Sequence, residues 1–409
     1  MTEGNRTNYR LAVVITHPIQ YQAPIFRELS KDPKIELTVF FASDESASGG
    51  IDAGFGVPVS WDIPLLEGYS HRFLRNWGVR FWSQSFLRYN CPSLLWELPR
   101  GHFDAVLLLS YSTAILDWQA IFMALVCGIP ILIRPEGNDC VHDRGHLKDL
   151  VRYRMLAFLY RRVSAFLAIG SLSKDHYLKH AGRPENIYWS PYCVDNEFFR
   201  SRAEKLPSKA ELKKALGFKE DQIVALFCGK LIAKKAPLLL AEALHKLRHK
   251  GRISLLVVGD GVLRREMEES VSRSGIEGFL FAGFQNQSEL PRYYKAADFM
   301  ILPSAFGETW GLVANEAMNF GLPVVVSDRV GCSSDLVQND ETGYTFPTGS
   351  ADMLADVIDR MLTQPGKISE MGEKAKKLIS GYGVDAAVSG IKRALVERGR
   401  RGQQRKDMK

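Results

Sequence analysis

Short hydrophobic runs recur along the chain and alternate with stretches whose apolar residues return every three or four positions. Leu11 to Thr16, Ile35 to Phe41, Ala105 to Leu109, Ile129 to Ile133 and Ala165 to Ile169 read as strands. A second series follows, at Ile223 to Phe227, Ser254 to Val258, Phe279 to Ala282, Phe299 to Leu302 and Pro323 to Ser327, with helical spacing over Pro237 to His249 and Arg264 to Ser272. This alternation predicts an α/β protein with two doubly wound, Rossmann-like parallel sheets. Pro191 to Asp195, followed by the polar stretch Arg200 to Lys214, marks the junction. The predicted division is an amino-terminal domain over 1–198, a carboxyl-terminal domain over 199–382, and a final helix and basic tail over 383–409, the helix packing back on the first domain. Open parallel sheets bind ligands beyond the carboxyl ends of their strands, so the expected site is the cleft between the domains.

The run Phe299 to Leu302 stops at Pro303, and helical spacing resumes from Leu312 until Gly321-Leu322-Pro323 ends it. The intervening loop therefore opens a helix, and it carries Glu308 and Glu316 on either side of Gly311. Glycine lets backbone approach a phosphate, and a helix start offers unpaired N–H groups. Glu316 is expected in the first turn, facing the same cleft as Glu308, where carboxylates accept hydrogen bonds from sugar hydroxyls. A solvated loop Glu and a Glu favoured by the helix dipole explain the pair alone about as well. Phe227-Cys228-Gly229-Lys230 to Lys235 closes the first strand of the second domain with a glycine and lysines able to grip a diphosphate, Lys230 and Lys235 being the candidates. Val258-Gly259-Asp260-Gly261 and Gly283-Phe284 close two more strands of the same domain. Four such strand ends together weigh more than any one.

The 409 residues, 46% hydrophobic and 24% charged, are enough for two cores. Six scattered cysteines without C-x-x-C spacing point to a reducing, cytoplasmic setting. The apolar run Leu11 to Ile15 is too short for a secretion signal, and the stretch Ala120 to Ile133 is broken by Gly128 and Pro130 into a helix and a strand. The net charge is +7, of which residues 392–409 hold eight Lys/Arg against two acids. That end reads as a disordered basic tail, serving solubility or contact with anionic lipid; nucleic acid is not the expected partner. Residues 71–100 mix Arg72, Arg75, Arg80, Arg88 and Arg100 with seven aromatics, which fits a membrane interface, a carbohydrate-stacking groove or one amphipathic helix. The basic, aromatic run Arg152 to Arg162 carries the same ambiguity.

Glu308 to Glu316, with the following Gly-Leu-Pro-Val-Val-Val-Ser-Asp segment, resembles the E-x7-E signature of glycosyltransferase family four, the large retaining group 1 family with the GT-B fold. Gly229-Lys230-Leu231 to Lys235 is similar to that family's G-R-L-x-x-x-K element, with Lys230 in place of Arg; the charge stays and bidentate phosphate recognition is lost. The resemblance runs through most of residues 200–365 and implies a hexosyltransferase using a nucleotide sugar, a UDP-sugar ahead of a GDP-sugar. By it, Lys230 and Lys235 bind the diphosphate, Glu316 the ribose, Glu308 the transferred sugar, and the backbone of Trp310, Gly311, Leu312 and Val313 the distal phosphate. The base is placed near Gly283 and Phe284, and Gly259 lies on the donor side. No metal or other cofactor is implied, and no D-x-D motif is present.

The first half resembles the family only loosely and is expected to hold a saccharide or lipid-linked acceptor. His17, Gln20 and Tyr21 follow the first strand, ahead of a helix started by Pro24. Arg134-Pro135-Glu136-Gly137-Asn138-Asp139 follows another strand; Glu136 stands near the family's usual His, with Arg134 and Asp139 as further acceptor-side candidates. Glu136, Glu308, Lys230 and Lys235 form the expected catalytic set. The pathway implied is polysaccharide or glycolipid synthesis for the cell envelope, at the inner face of the cytoplasmic membrane. Two other readings stay open: an epimerase or phosphorylase on the same fold, and a membrane-associated binding protein with a vestigial donor site.

Overall fold

The computed structural model describes residues 8–51, 58–78, 86–110, 114–137, 154, 156–180 and 183–407. Two parallel sheets dominate them. The first contains β1 (Tyr9–Ile15), β2 (Ile35–Phe41), β5 (His71–Phe73), β6 (Ala105–Leu108), β7 (Ile131–Ile133), β8 (Ala165–Ala168) and β9 (Ile187–Trp189), in the order β5-β2-β1-β6-β7-β8-β9. A short antiparallel pair, β3 (Gly50–Ile51) and β4 (Pro58–Val59), stands apart from it. The second contains β10 (Ile223–Cys228), β11 (Ile253–Val258), β12 (Gly278–Phe281), β13 (Phe299–Leu302), β14 (Val324–Ser327) and β15 (Gly343–Phe346), ordered β12-β11-β10-β13-β14-β15. Both orders reverse beside the first strand, at β1/β6 and β10/β13. Loops at such a switch point diverge to opposite faces and leave a crevice.

Helices cover both faces of each sheet, which is why the central strands are apolar throughout rather than alternating. Along β1, Leu11, Val13 and Ile15 enter one core while Ala12 and Val14 enter the other. In β10, Val224, Leu226 and Cys228 face one core and Ala225 and Phe227 its opposite. The helix Val384–Asp407 leaves the second domain and packs on the first through Ala387, Val388, Ile391, Ala394 and Leu395, in the core that holds Leu11 and Phe26. Gly390 makes that contact possible, because a Cβ there would lie 1.9 Å from the Trp189 carbonyl oxygen.

Two expectations change, and the junction gains detail. The basic end read as disordered continues this helix as far as Asp407. The polar stretch Arg200 to Lys214 forms two helices, Asn196–Lys205 capped by Asp195 and Lys209–Ala215 closed by a Ser208/Glu211 capping box. Residues 71–100 are not one amphipathic helix: β5 opens the stretch and the helix Leu94–Arg100 closes it, while Arg80 lies outside the described residues.

Strand ends in the second domain approach each other closely. Gly259 has φ +137°, and a Cβ on it would stand 1.9 Å from the backbone oxygen of Gly229. Gly259→Ala therefore forces two strand ends apart and adds strain in a region that L residues avoid. We expect a loss of more than about 3 kcal/mol in denaturant unfolding; a loss below about 1 kcal/mol would show that the strand ends tolerate separation.

Candidate active site

The loops after β1, β7, β10, β12 and β13 meet at the crevice and line a cleft of about 840 Å³, a size that suits a nucleotide with a sugar attached. His17, Gln20, Tyr21 and Glu136 form the amino-terminal wall; Lys230, Lys235, Glu308, the loop from Trp310 to Val313 and Glu316 form the opposite one.

The far wall is shaped by one turn. Gly311 caps the helix Leu312–Asn319 at φ +98°, and a Cβ there would sit 2.8 Å from Leu302 Cδ2 and 3.1 Å from Val330 Cγ1. Trp310, 2% exposed, turns inward; its Nε1 donates to Asn315 Oδ1 at 2.8 Å, and its ring meets those of Tyr192 and Tyr382. The backbone is thus left facing the cleft at the positive end of a helix. No acid stands in that helix's first turn. Glu316 lies one turn further in than its spacing suggested, so a helix-dipole preference does not account for it.

Each carboxylate has a distinct setting. Glu308, 8% exposed, accepts from Lys235 Nζ at 2.5 Å and from Ser304 Oγ at 3.1 Å. Glu316, 6% exposed, accepts from the Tyr294 hydroxyl at 2.6 Å and, at 3.5 Å, from Gln287 Nε2. Burial pushes the Glu316 carboxyl up to about 7, only partly opposed by those two hydrogen bonds. Glu136 joins the walls: it accepts from Tyr21 at 3.3 Å and from Tyr192, and its other oxygen accepts from Thr309 of the second domain at 2.8 Å. Burial raises both tyrosine hydroxyls well above their ordinary value, so they remain donors. His17 takes part in a 2.9 Å hydrogen bond between Nδ1 and Thr16 Oγ1, and burial lowers its pKa.

Several expected positions lie elsewhere. Arg134 is 2% exposed and donates to the carbonyls of Ser190 and Pro191 and to Ser190 Oγ, with Tyr192 stacked at 5.6 Å. It braces the junction behind Tyr192 and does not line the cleft. Asp139 is outside the described residues. Gly259, Gly283 and Phe284 are not among the described lining residues. Gly259 serves the strand-end approach, its N–H bonded to the Gly283 oxygen at 2.8 Å, and the Phe284 ring meets Trp61. Lining residues that sequence reasoning missed include Trp61, Asp62, Lys234, Gln287 and Thr309. Of these, Lys234 lies inside the lysine run and Thr309 next to Glu308; Trp61, Asp62 and Gln287 carried no local signal.

The glycosyl transferases group 1 family model matches residues 208–378, which contain both carboxylates and the lysines. The match is to residues 208–378, less than half of the chain. The named relatives of the chain are glycosyltransferases. The chain is 26% identical to the alpha-D-kanosaminyltransferase of Streptomyces kanamyceticus over 67% of its own length and 72% of that protein. It is 33% identical to the 2-deoxystreptamine glucosyltransferase of the same organism, over 51% of the chain and 53% of the relative. The chain thus spans only about half the length of some of the curated relatives it matches. The crystal structure of Anabaena HepE in complex with UDP and glucose shares the fold, with a TM-score of 0.68 at 18% identity, covering 95% of this chain and 100% of that one. These glycosyltransferase relatives lend nothing to the epimerase, phosphorylase or vestigial-site readings.

The setting of Glu316 has a measurable consequence. Its folded pKa is raised above the ordinary carboxyl value, so between about 4.5 and 7 the folded state holds more protons than the unfolded one and stability falls as pH rises; the penalty is complete above about 7. Glu316→Gln removes it. The variant's Tm is expected to exceed that of the parent at pH 8, with the gap closing toward pH 4.5; a gap independent of pH would remove Glu316 as its source.

Proposed function

We propose that the protein transfers a hexosyl group from a nucleoside diphosphate sugar to an acceptor hydroxyl, with retention at the anomeric carbon, as family four does. The observation that carries this reading is the Lys235–Glu308 pair, one-tenth exposed on the Glu308 side, set in one cleft with Glu316 and the start of the helix Leu312–Asn319. As the bond from the anomeric carbon to the diphosphate breaks, its electrons go to the leaving phosphate. Lys230, Lys235 and the helix start face that charge, so its stabilisation needs no metal ion. Glu308 accepts hydrogen bonds from the sugar and Glu316 from the ribose. Glu136, held by three hydroxyls, and His17, Gln20 and Tyr21 form the wall for a saccharide or lipid-linked acceptor. UDP-sugars come ahead of GDP-sugars; the HepE structure was captured with UDP and glucose.

In a thermal-shift series of UDP-, GDP-, ADP- and dTDP-sugars, a UDP-sugar is expected to raise Tm most, by mass action on the folded state. The rise should be lost in Lys230→Ala, and Glu308→Ala should lower transfer at least about 100-fold without metal in the buffer. No shift with any of the four, or undiminished transfer in Glu308→Ala, overturns the reading.

The same proposal places the enzyme at the inner face of the cytoplasmic membrane, in polysaccharide or glycolipid synthesis for the cell envelope. Phe122, Leu125 and Val126 are exposed at i, i+3 and i+4 on the helix Ile115–Val126, and exposed Trp96 and Phe158 accompany Arg154, Arg161 and Arg162 in the same half of the chain. Among the described residues no helix is long and apolar enough to cross a membrane, so attachment would be by surface contact. Phe122→Ser with Leu125→Ser is expected to weaken co-sedimentation with phosphatidylglycerol vesicles at least about fivefold; equal binding to pure phosphatidylcholine, or no effect of the substitutions, counts against it.

A further inference from the structure

Beside Glu316 the cleft contains an acceptor that nothing in the protein satisfies. Gln287 is 6% exposed and lines the cleft. Its Nε2 donates to Glu316 Oε1 at 3.5 Å; once Glu316 is ionised, above about 7, its carboxylate has no proton to offer in return, which favours this amide orientation. Gln287 Oε1 is then buried with no hydrogen-bond partner among the described residues. Buried acceptors are nearly always paired, so an unpaired one on a residue that lines the cleft is open to a donor from a ligand.

The residues on either side of Gln287 are clasped by the other domain. Asn286 Nδ2 donates to the Ser60 carbonyl at 2.6 Å, and the Asp62 N–H donates to Asn286 Oδ1 at 3.4 Å. The Ser288 N–H donates to both oxygens of Asp62, at 3.2 and 3.3 Å, and its hydroxyl donates to one of them. Trp61, between these two anchors, lines the cleft and meets Phe284. Such bonding on both sides holds the amide in place before a ligand arrives, which lowers the ordering cost of binding.

We propose that Gln287 reads the ribose of the donor together with Glu316. A ribose carries two neighbouring hydroxyls, each a donor; the Glu316 carboxylate takes one and Gln287 Oε1 the other. The segment 60–62 of the first domain fixes Gln287 in position, so the acceptor-side domain helps select the donor. The assignment rests on the reading of Glu316 as the ribose-holding residue. It implies that the site rejects a nucleotide lacking the hydroxyl that Gln287 accepts, because the amide oxygen is then left buried and unpaired.

The test is calorimetric titration at pH 8, above the titration of Glu316, with UDP, 2′-deoxy-UDP and 3′-deoxy-UDP. The parent protein is expected to bind one deoxy analogue about 10-fold or more weakly through Gln287 and the other weakly through Glu316. In Gln287→Leu, affinity for UDP should fall by about the same factor. The penalty for one analogue should vanish while that for the other remains. Gln287→Asn, which keeps the polarity and draws the oxygen back, should lose the same discrimination, with circular dichroism melts reporting folding. Retention of both penalties in the two variants, or unchanged UDP binding, overturns the assignment, as does a change confined to preference among bases. Failure of the parent to bind any of the three overturns the donor reading itself, and the role of Gln287 with it.

Discussion

The turn at Gly311 is the constraint from which the rest of the site follows. Only a residue without a side chain fits between Leu302 and Val330 at positive φ, and this tight passage drives Trp310 inward while leaving the following backbone to begin a helix at the cleft. The loop is tied down from behind as well: the N–H of Gly331 donates to the Glu308 oxygen and that of Cys332 to the Trp310 oxygen. Gly331 is itself forced to be glycine, since a Cβ would meet the Thr309 oxygen at 1.9 Å. Two glycines and a buried indole thus fix the positions of both carboxylates relative to the lysines.

What that turn holds in place is electrostatically costly. Glu308 and Lys235 neutralise each other, and removing one partner of a buried pair leaves an unmatched charge. Glu316 has no cation within its hydrogen-bond set, only a phenol and an amide, and its titration shifts upward accordingly. A buried carboxyl raised in this way, beside an unsatisfied amide oxygen, is the setting in which functional groups cluster.

Much of this was legible from local pattern. Ile35–Phe41 and Phe299–Leu302 form the strands that their hydrophobic runs predict, and the helix after the glycine loop begins at Leu312. The edge strands β5, β9 and β15 escaped notice because three or four residues of mixed polarity carry little periodic signal. Arg134 looked like a cleft residue because it follows a strand among other polar groups; its backbone instead prolongs the sheet by donating to Leu108, and its guanidinium turns to the junction carbonyls. Gly259 looked like an opening for a ligand, whereas it lets its strand end touch the backbone of Gly229. The Glu136 cluster joins residues 115 and 173 positions apart, and the clasp on Gln287 joins residues about 226 apart. No local pattern encodes such pairings; they exist only after both sheets have formed.

The chain passes between the domains twice, once along the segment after β9 and again just before the helix Val384–Asp407. The two passages touch: Asn196 Nδ2 donates to the Ile379 oxygen at 3.2 Å and also lies 3.3 Å from where a Cβ on Gly383 would be. Two adjacent tethers limit how far one domain can slide past the other. The clasp between residues 60–62 and 286–288 joins the same two domains beside the cleft, so drawing the domains apart there breaks its hydrogen bonds.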